Sequence, residues 1–376
     1  MKTTTALIMI MSFFSLAQGQ HSSPKIFNLL VGTYSSPDKS GIYIYTFNAE
    51  TGEFTKKAET TGIANPSFLA ITRDRKHVYA VTEVDGGKGS VSAFSFDPVS
   101  GKLSHLNNAS SGGDGPCYVT IDEKNRFVFV GNYSGGSLSA IPVNADGSLN
   151  NDIQTIQHTG SGVLKNQDKA HVHATVLSAD DRYLFVPDLG TDKVYVYKVD
   201  YTKEKPLSPA DPAFASVTDG NGPRHFIFHQ NGKYAYLIQE MSGVITAFDY
   251  VDGKLASKQS VSSAPKDFSG KIDAADIHLS PDGKFLYGSL RGDINELAIY
   301  AVDKNGKLSY VGRQSTLGKI PRNFAIDPTG NFLLVANQNT NDIQIFKRDH
   351  KTGMLAPTGK KILVEKPVCL KFATVN

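Results

Sequence analysis

The chain has no tryptophan and only two cysteines among its 376 residues. Two cysteines cannot form the disulfide framework that holds many small secreted domains together, and we expect Cys117 and Cys369 to be buried thiols. A strong charge of one sign is also missing: 39 Lys and Arg face 36 Asp and Glu, a formal net charge of +3. Binding to a phosphate backbone needs a concentrated basic face, so we expect no nucleic-acid partner.

Long hydrophobic runs are scarce as well. The longest lies near the start, where Lys2 precedes an apolar stretch from Ala6 to Leu16 and the small residues of 17–19 follow. This stretch is about half the ~20 residues that a membrane-spanning helix needs, and its flanks are typical of a secretory signal peptide. We therefore expect residues 1–20 to be a signal and the mature protein to be soluble, exported to the periplasm or beyond, and without a membrane anchor. The alternative is a slightly apolar, unstructured tail.

The chain is rich in residues that favour turns and β-strands. It contains 34 glycines, 21 phenylalanines and 16 tyrosines, and its 40% apolar and 20% charged residues are ordinary for a globular protein. Glycine favours tight turns and aromatic residues favour strands. The composition excludes wholesale disorder and fibrous classes and favours an all-β protein.

One unit recurs along the sequence. It begins with a small or apolar residue, usually proline, continues as two strands joined by a turn with Asp, Asn or Gly, and ends in a mostly polar pair. Six copies have the opening residue and the first residue of the closing pair 16 positions apart. These pairs are Pro66 and Thr82, Pro116 and Asn132, Val172 and Asp188, Pro223 and Gln239, Ala274 and Leu290, and Pro321 and Asn337.

A seventh copy is divided between the two ends of the chain. Pro367 to Phe372 is an opening strand with nothing after it, whereas Phe27 to Tyr34 is a second strand with nothing before it. Repeats of roughly 50 residues indicate radial or stacked units. The pattern predicts a single seven-bladed β-propeller over residues 21–376, with one blade closed by the N- and C-terminal strands. An open β-solenoid is the alternative, but it would not leave complementary halves at the ends.

The repeat also predicts a site. In an antiparallel hairpin the start of the first strand and the end of the second lie at the same end, so these positions should surround one mouth of the central channel. Four consecutive copies place ionisable side chains there: His173, Arg224, His225, Glu240, Asp276, Arg291 and Arg322. Clustered arginines commonly bind a carboxylate or phosphate, and a nearby Glu or His can activate water. The alternative is a structural polar ring between blades.

Several runs in these copies resemble the lactonase family of seven-bladed β-propellers, which includes propeller-type 6-phosphogluconolactonases and the fungal carboxy-muconate cyclase. The runs are 170–174 (AHVHA), 187–192 (PDLGTD), 222–225 (GPRH), 274–283 (AADIHLSPDG) and 321–324 (PRNF), and the resemblance covers Lys25 to Ala373. It implies opening or closing of a lactone ring without a metal or another cofactor, at a site of His, Arg, Glu and Arg. Those catalytic roles fall on His173 or its neighbour His171, on Arg224, on Glu240 and on Arg291.

The remaining predicted site residues would bind the substrate: His171, His225, Asp276, Arg322, Asn323, Glu83 and Tyr133. Two features depart from the family. Leu290 stands where the family usually has Asn before the last Arg, and a signal peptide is unexpected for a cytoplasmic pentose-phosphate enzyme.

The sequence does not favour a metal site. His171 and His173 share a strand face, and Asp188, Asp192 or Asp276 could supply a third ligand, but the three arginines predicted at the same mouth would repel a cation. No serine lies in a G-x-S-x-G turn, so covalent serine catalysis is not expected either.

The sequence thus predicts a hydrolase of small anionic sugar lactones, similar to 6-phosphogluconolactonase. Arg224 and Arg291 would stabilise the oxyanion, and Glu240 or His173 would take a proton from the attacking water. The alternative is a non-catalytic propeller that binds a sugar acid or a protein partner. No oligomeric state follows from the sequence.

The predicted signal peptide gives a first testable outcome. Cleavage should fall between Ala17 and His21, because small residues follow the apolar stretch there. Mass spectrometry of the protein isolated from its native host should find a mature N-terminus in this interval. Cytoplasmic protein that still carries Met1 or Lys2 would contradict export.

Overall fold

A computed structural model of the protein describes residues 25–375, and within them the chain forms seven four-stranded antiparallel sheets. The predicted signal peptide and residues 21–24 of the predicted domain lie outside the described residues. A short 3-10 helix, Lys165–Gln167, is the helix that the structure shows between residues 25 and 375. The all-β prediction is confirmed.

The strands are numbered in chain order. The first sheet consists of β1 (Ile26–Thr33), β2 (Ile42–Asn48), β3 (Phe54–Thr60) and the last strand, β28 (Pro367–Thr374). The second consists of β4 (Leu69–Ile71), β5 (His77–Thr82), β6 (Ser90–Asp97) and β7 (Lys102–Ser110). The third consists of β8 (Pro116–Ile121), β9 (Phe127–Asn132), β10 (Ser137–Pro142) and β11 (Gln154–Gln157).

The fourth sheet consists of β12 (Val176–Leu177), β13 (Tyr183–Asp188), β14 (Lys193–Val199) and β15 (Leu207–Ser216). The fifth consists of β16 (Pro223–Phe228), β17 (Tyr234–Gln239), β18 (Val244–Val251) and β19 (Lys254–Ser262). The sixth consists of β20 (Ala274–Leu279), β21 (Phe285–Leu290), β22 (Glu296–Val302) and β23 (Leu308–Ser315). The seventh consists of β24 (Pro321–Ile326), β25 (Phe332–Asn337), β26 (Asp342–Arg348) and β27 (Leu355–Leu363).

These sheets are the blades of a propeller. The first strands of neighbouring blades contact one another, as β16 does β20, β20 does β24 and β24 does β28, so they surround the central axis. The ring closes as predicted: β28 pairs with β1, and Gly32 lies opposite Cys369. Both cysteines are free and buried. The prediction of a seven-bladed propeller closed by its two termini is confirmed.

The repeat spacing has a direct structural meaning in the inner hairpins. The opening residue lies opposite the first residue of the closing pair, as Pro223 does Gln239, but the register then shifts by one residue so that His225 lies opposite Ile238. The same shift follows the opening residue in β8, β20, β24 and β28. Such a β-bulge leaves one residue without a cross-strand partner and re-aims its side chain. In β16 that residue is Arg224.

Two opening strands are shorter than the repeat predicts. The ladder of β4 starts at Leu69, because the chain before it forms a turn in which Asn65 has a φ of 44° and the Ser67 N–H bonds to the Asn65 carbonyl. The ladder of β12 starts at Val176, after an isolated bridge between Val172 and Asp188. The His171 N–H there donates to the Asp188 side chain (2.8 Å). Side-chain and turn hydrogen bonds thus replace part of the ladder.

Neighbouring blades are tied together through hairpin tips and aromatic rings. Gly306, between β22 and β23, has a φ of 74°, and a Cβ there would lie 2.4 Å from the Tyr234 ring of the preceding blade. The Tyr236 hydroxyl donates to the Gly306 carbonyl (3.0 Å). Phe185 of the fourth blade and Phe226 of the fifth stack with centroids 5.4 Å apart. Phenylalanine and tyrosine therefore contribute to the interblade packing, beside aliphatic residues, in a chain without tryptophan.

No helix within residues 25–375 has the length and apolar character needed to cross a bilayer.

Ring closure leads to a prediction about stability. A chain that ends at Glu365 lacks β28, so the backbone groups of β1 that pair with it lose their partners. We expect low soluble yield or a markedly lower thermal midpoint. A control lacking only residues 375 and 376, which follow β28, should unfold like the full chain. A stable, monomeric protein truncated after Glu365 would contradict the role of the closing blade.

Candidate functional site

The site lies at the mouth of the channel, where the inner hairpins begin and end. Arg224 is the bulged residue of β16, Glu240 directly follows β17, and Arg291 directly follows β21. Arg224 is 1% exposed and Arg291 is 6% exposed, so both guanidinium groups are almost removed from water. Buried cations need compensating acceptors, which the neighbouring closing pair provides.

Glu240 joins the two arginines. Its Oε2 accepts from Arg224 Nε at 2.7 Å and lies 2.9 Å from Arg291 Nη2. Arg291 also donates to Asp273 and to the Ala274 carbonyl. The Oε1 atom of Glu240 receives no hydrogen bond from residues 25–375, and the side chain is 21% exposed. One carboxylate oxygen therefore anchors the arginines while the other is open.

The charges around Glu240 set its protonation. Burial alone would raise the pKa of Glu240, but Arg291, Arg224 and Arg322 outweigh burial and lower it. Burial, with the nearby Arg291 cation, lowers the pKa of Arg224 to about 10. At neutral pH the ionised carboxylate of Glu240 therefore lies between the guanidinium cations of Arg224 and Arg291. We call these three residues, with His173 beside them, the arc.

His173 is the imidazole nearest to this carboxylate. Its Nε2 lies 3.8 Å from Glu240 Oε2, and its Nδ1 lies 3.8 Å from the Cys117 thiol sulfur. Burial, reinforced by the positive charge of Arg224, holds the pKa of His173 well below its usual value of 6.5. His173 is therefore a neutral imidazole at neutral pH and has a lone pair available for a proton.

A second group of contacting side chains at the mouth consists of Arg322, Glu83, Tyr34 and Ser67. Arg322 Nη2 lies 3.9 Å from Glu83 Oε1, and the guanidinium carbon lies 5.2 Å from the centre of the Tyr34 ring. Glu83 accepts from the Tyr34 hydroxyl at 2.9 Å and from the Ser67 hydroxyl. The Arg322 side chain makes no hydrogen bond to another residue of 25–375, so its donors are uncommitted.

One further donor at the mouth is unused. Arg291 Nε is buried and has no hydrogen-bond partner among the described residues. Leaving a buried donor unpaired costs free energy, so such an atom calls for an explanation such as a ligand or water. A cavity of about 10 Å³ at the mouth is bordered by Ser67, Cys117, His173, Arg224 and Arg322, among others. It has room for roughly one water molecule.

The predicted binding residues His225, Asp276 and Asn323 form a buried network under Arg224. Asp276 accepts from His225 Nδ1 at 2.7 Å, from His278 Nε2 at 2.9 Å and from Asn323 Nδ2. Both carboxylate oxygens are thus engaged by protein donors. The structure therefore places this network in contact with the arc through His225, whose Nε2 lies 3.1 Å from Arg224 Nη1.

His171 and Tyr133 lie beside the arc and contact each other. Their rings stack with centroids 4.6 Å apart, His171 Nδ1 lies 3.0 Å from the Tyr133 carbonyl, and His171 Nε2 lies 3.1 Å from Asp168 Oδ1. Tyr133 also packs edge-on against His173, with centroids 5.3 Å apart. Of the two histidines that the resemblance left open, His173 is the one near Glu240.

Sequence reasoning missed Asp273 as a member of the site. Asp273 stands one residue before the opening residue Ala274, outside the positions that the repeat spacing places at the mouth, and it pairs with Arg291. Tyr34, the second residue of a closing pair, and Ser67, which follows an opening residue, do lie at such positions, but a tyrosine or a serine alone does not indicate a role. Within residues 25–375 no group of three or more His, Cys, Asp or Glu side chains has the arrangement of a metal site.

The chain belongs to the lactonase family of seven-bladed β-propellers, because the family described as "Lactonase, 7-bladed beta-propeller" matches residues 28–372. It is similar to the 6-phosphogluconolactonase of Formosa agariphila, with 38% identity over 93% of this chain and 100% of that protein. The 6-phosphogluconolactonase of Bacillus subtilis is 35% identical over 91% of this chain and 97% of its own length. The structure of the periplasmic gluconolactonase of Pseudomonas aeruginosa superimposes with a TM-score of 0.89 at 39% identity, covering 93% of this chain and 100% of the other.

Two buried neutral histidines predict acid sensitivity. Burial and the nearby Arg224 cation lower the pKa of His225 to about 4, and His173 is shifted in the same direction. The unfolded chain binds these protons near pH 6.5, so the stabilising contribution is present above about pH 6.5 and is lost as pH falls towards 4. Thermal midpoints measured from pH 7 to 4.5 should fall accordingly.

The variant His225→Gln isolates the contribution of His225 to this pH dependence. In His225→Gln the residue no longer titrates, so the fall between pH 6.5 and 4.5 should be shallower than in the wild type. Glu240 and Asp276 also have lowered pKa values, and they add to the loss as pH approaches and falls below the ordinary carboxyl pKa values of 4.5 and 3.8. Asp181, whose pKa burial raises to about 6, acts in the opposite direction over the same interval. A fall that is as steep in His225→Gln as in the wild type would therefore contradict the assignment of a neutral buried His225.

Proposed function

We propose that the protein is a lactone hydrolase that opens a small sugar lactone bearing an anionic group. The observation that carries this proposal is the arc at the mouth: an ionised Glu240 with one open oxygen, held between the buried guanidiniums of Arg224 and Arg291, beside a neutral His173. Relatives named 6-phosphogluconolactonase at 35% and 38% identity support the same chemistry.

Hydrolysis requires an attack by water on the lactone carbonyl carbon. Negative charge then develops on the carbonyl oxygen, and donors already fixed in place stabilise it without reorganisation. Arg224 and Arg291 fit this role, because protein contacts hold both side chains and Arg291 Nε has no partner within residues 25–375. The ring C–O bond then breaks, and the leaving alkoxide takes the proton that the general base removed from the attacking water.

The proton of the attacking water needs an acceptor. The Glu240 side chain is 21% exposed and its Oε1 receives no hydrogen bond from the described residues, so a water at the mouth can donate to it. Glu240 is a weak base because the arginines lower its pKa, but its charge also orients the water. His173, whose Nε2 is 3.8 Å from Glu240 Oε2, is the alternative acceptor.

The anionic group of the substrate would bind Arg322. This guanidinium has no hydrogen bond to residues 25–375, and its planar fork matches a carboxylate or a phosphate. Glu83 and Tyr34 beside it add an acceptor and an aromatic face that suit sugar hydroxyls and ring carbons. Replacing Arg322 should therefore raise KM for a charged lactone more than for an uncharged one.

We also propose that the protein is exported. The apolar stretch from Ala6 to Leu16, followed by small residues, is typical of a signal peptide. The similarity to a periplasmic gluconolactonase supports the same location.

The enzymatic proposal is tested by proton release, since each opened lactone yields an acid. A pH-stat assay over aldonolactones, phosphorylated and not, with the spontaneous rate subtracted, should reveal turnover. Arg224→Lys, Arg291→Lys and Glu240→Gln should each lower kcat/KM by about 10²- to 10³-fold, because a point charge or an amide does not replace the fork or the carboxylate.

Arg182→Lys is the matched control, because Arg182 is an exposed arginine paired with Asp180 and Asp252 away from the mouth. It should keep wild-type turnover. If all three site variants remain within about threefold of the wild type, a difference under ~0.7 kcal/mol, the assigned site is wrong. A wild-type protein that binds lactones or sugar acids without opening any lactone would instead favour the non-catalytic alternative.

A further inference from the structure

A hydrogen-bonded chain of side chains runs from Arg224 into the interior of the channel. Arg224 Nη1 lies 3.1 Å from His225 Nε2, and His225 Nδ1 lies 2.7 Å from Asp276 Oδ1. His225 and Asp276 are 6% and 3% exposed and come from neighbouring blades. The chain is therefore sheltered from water and links two inner strands.

The other contacts of Asp276 fix its position. Its Oδ2 accepts from His278 Nε2 and Asn323 Nδ2, and its own N–H donates to the Ser289 hydroxyl at 3.0 Å. Asn323 Oδ1 in turn accepts from the Leu370 N–H at 2.7 Å. Asp276 is thus anchored by β20, β21, β24 and β28 at once. Burial alone would raise the pKa of Asp276, but the neighbouring His278 and His225 outweigh it and hold the pKa well below its usual value.

These contacts allow only one tautomer of His225. An ionised carboxylate accepts hydrogen bonds and cannot donate, so His225 Nδ1 must carry the proton that it shares with Asp276. A guanidinium donates and cannot accept, so His225 Nε2 must be the lone pair that faces Arg224 Nη1. Every hydrogen bond then runs in one direction, from Arg224 through His225 to Asp276.

The orientation of the Arg224 guanidinium follows from this arrangement. Nη1 is held by His225 and by the Ala275 carbonyl, and Nε is held by Glu240. Nη2 has no hydrogen-bond partner among the described residues, and Arg224 borders the small cavity at the mouth. The two held nitrogens fix the plane of the group, so the third is presented in one direction.

We propose that His225 and Asp276 are positioning residues: Asp276 selects the Nδ1–H tautomer of His225, and His225 then holds the Arg224 guanidinium in the orientation that stabilises the developing oxyanion. This proposal rests on the lactonase function proposed above, since it gives Arg224 a reaction to act in. It replaces the direct substrate contact predicted for His225 and Asp276 with an action through Arg224.

The tautomer can be measured without a substrate. Nitrogen-15 NMR of the imidazole groups at pH 7 should show His225 as the neutral Nδ1–H form, with the signals assigned by their loss in His225→Gln. A neutral Nε2–H form, or an imidazolium, would overturn the positioning role. A wild type that opens no lactone would overturn the proposed function, so the two failures remain distinguishable.

Asp276→Asn tests the consequence for catalysis. The new amide can donate to His225 Nδ1, which favours the Nε2–H tautomer and sets two donors against each other at Arg224. We expect kcat to fall by about 10²-fold, the order seen when a catalytic group moves by ~1 Å, with a smaller change in KM. Asp252→Asn, the same change at an exposed carboxylate between β18 and β19, should leave kcat within about threefold of the wild type.

Two substitutions of His225 cover the case in which Asp276→Asn does not fold. In His225→Gln the amide can accept from Arg224 and donate to Asp276, so the polarity of the chain is kept, whereas His225→Leu removes both bonds. His225→Gln should therefore have a clearly higher kcat than His225→Leu when the two variants have the same thermal midpoint. Equal kcat values for the two variants would overturn the proposal.

Discussion

A one-residue bulge at the start of the inner strands is the constraint on which the site depends. In a regular strand, consecutive side chains point to opposite faces, so only one of two neighbouring residues could face the channel mouth. The register shift after Pro223 removes this restriction, and Arg224 and His225 contact each other through Nη1 and Nε2. Because the bulge recurs in several blades, pairs of adjacent residues such as 322 and 323 also meet at the same mouth.

The bulge helps to gather charge among largely buried side chains, and that charge must be balanced there. Arg224 and Arg291 share Glu240, Arg291 also pairs with Asp273, and Arg322 lies near Glu83. Burying ions in pairs offsets much of their desolvation cost but seldom adds stability. The cluster is therefore better understood as an arrangement fixed in advance for chemistry, because paired and buried groups keep their orientation while a substrate reacts.

The sequence predicted the blades, the closure and the location of the site, because all three depend on spacing alone. A fixed interval of 16 residues in six copies specifies which residues share one end of a hairpin. Other features depend on local backbone geometry and on side-chain hydrogen bonds, and they had no signature in the spacing: the bulge, the turn that delays β4, the ion pair of Asp273 with Arg291, and the hydrogen bond of Asp276 with His225. The repeat also does not encode whether an arginine has hydrogen-bond partners, because that depends on side-chain geometry. Arg322, for example, has none among residues 25–375.

Closure by β28 makes the order of synthesis matter for folding. The partners Gly32 and Cys369 leave the ribosome at opposite ends of translation, so the ring cannot close until the chain is complete. The small cavity at the mouth is bordered by Val368 of β28 as well as by Asn323 and Arg224. The site is therefore complete only after β28 has paired with β1. Contacts so distant in sequence form slowly. A nascent chain with this topology therefore cannot assemble its ring, or this site, before its synthesis is complete.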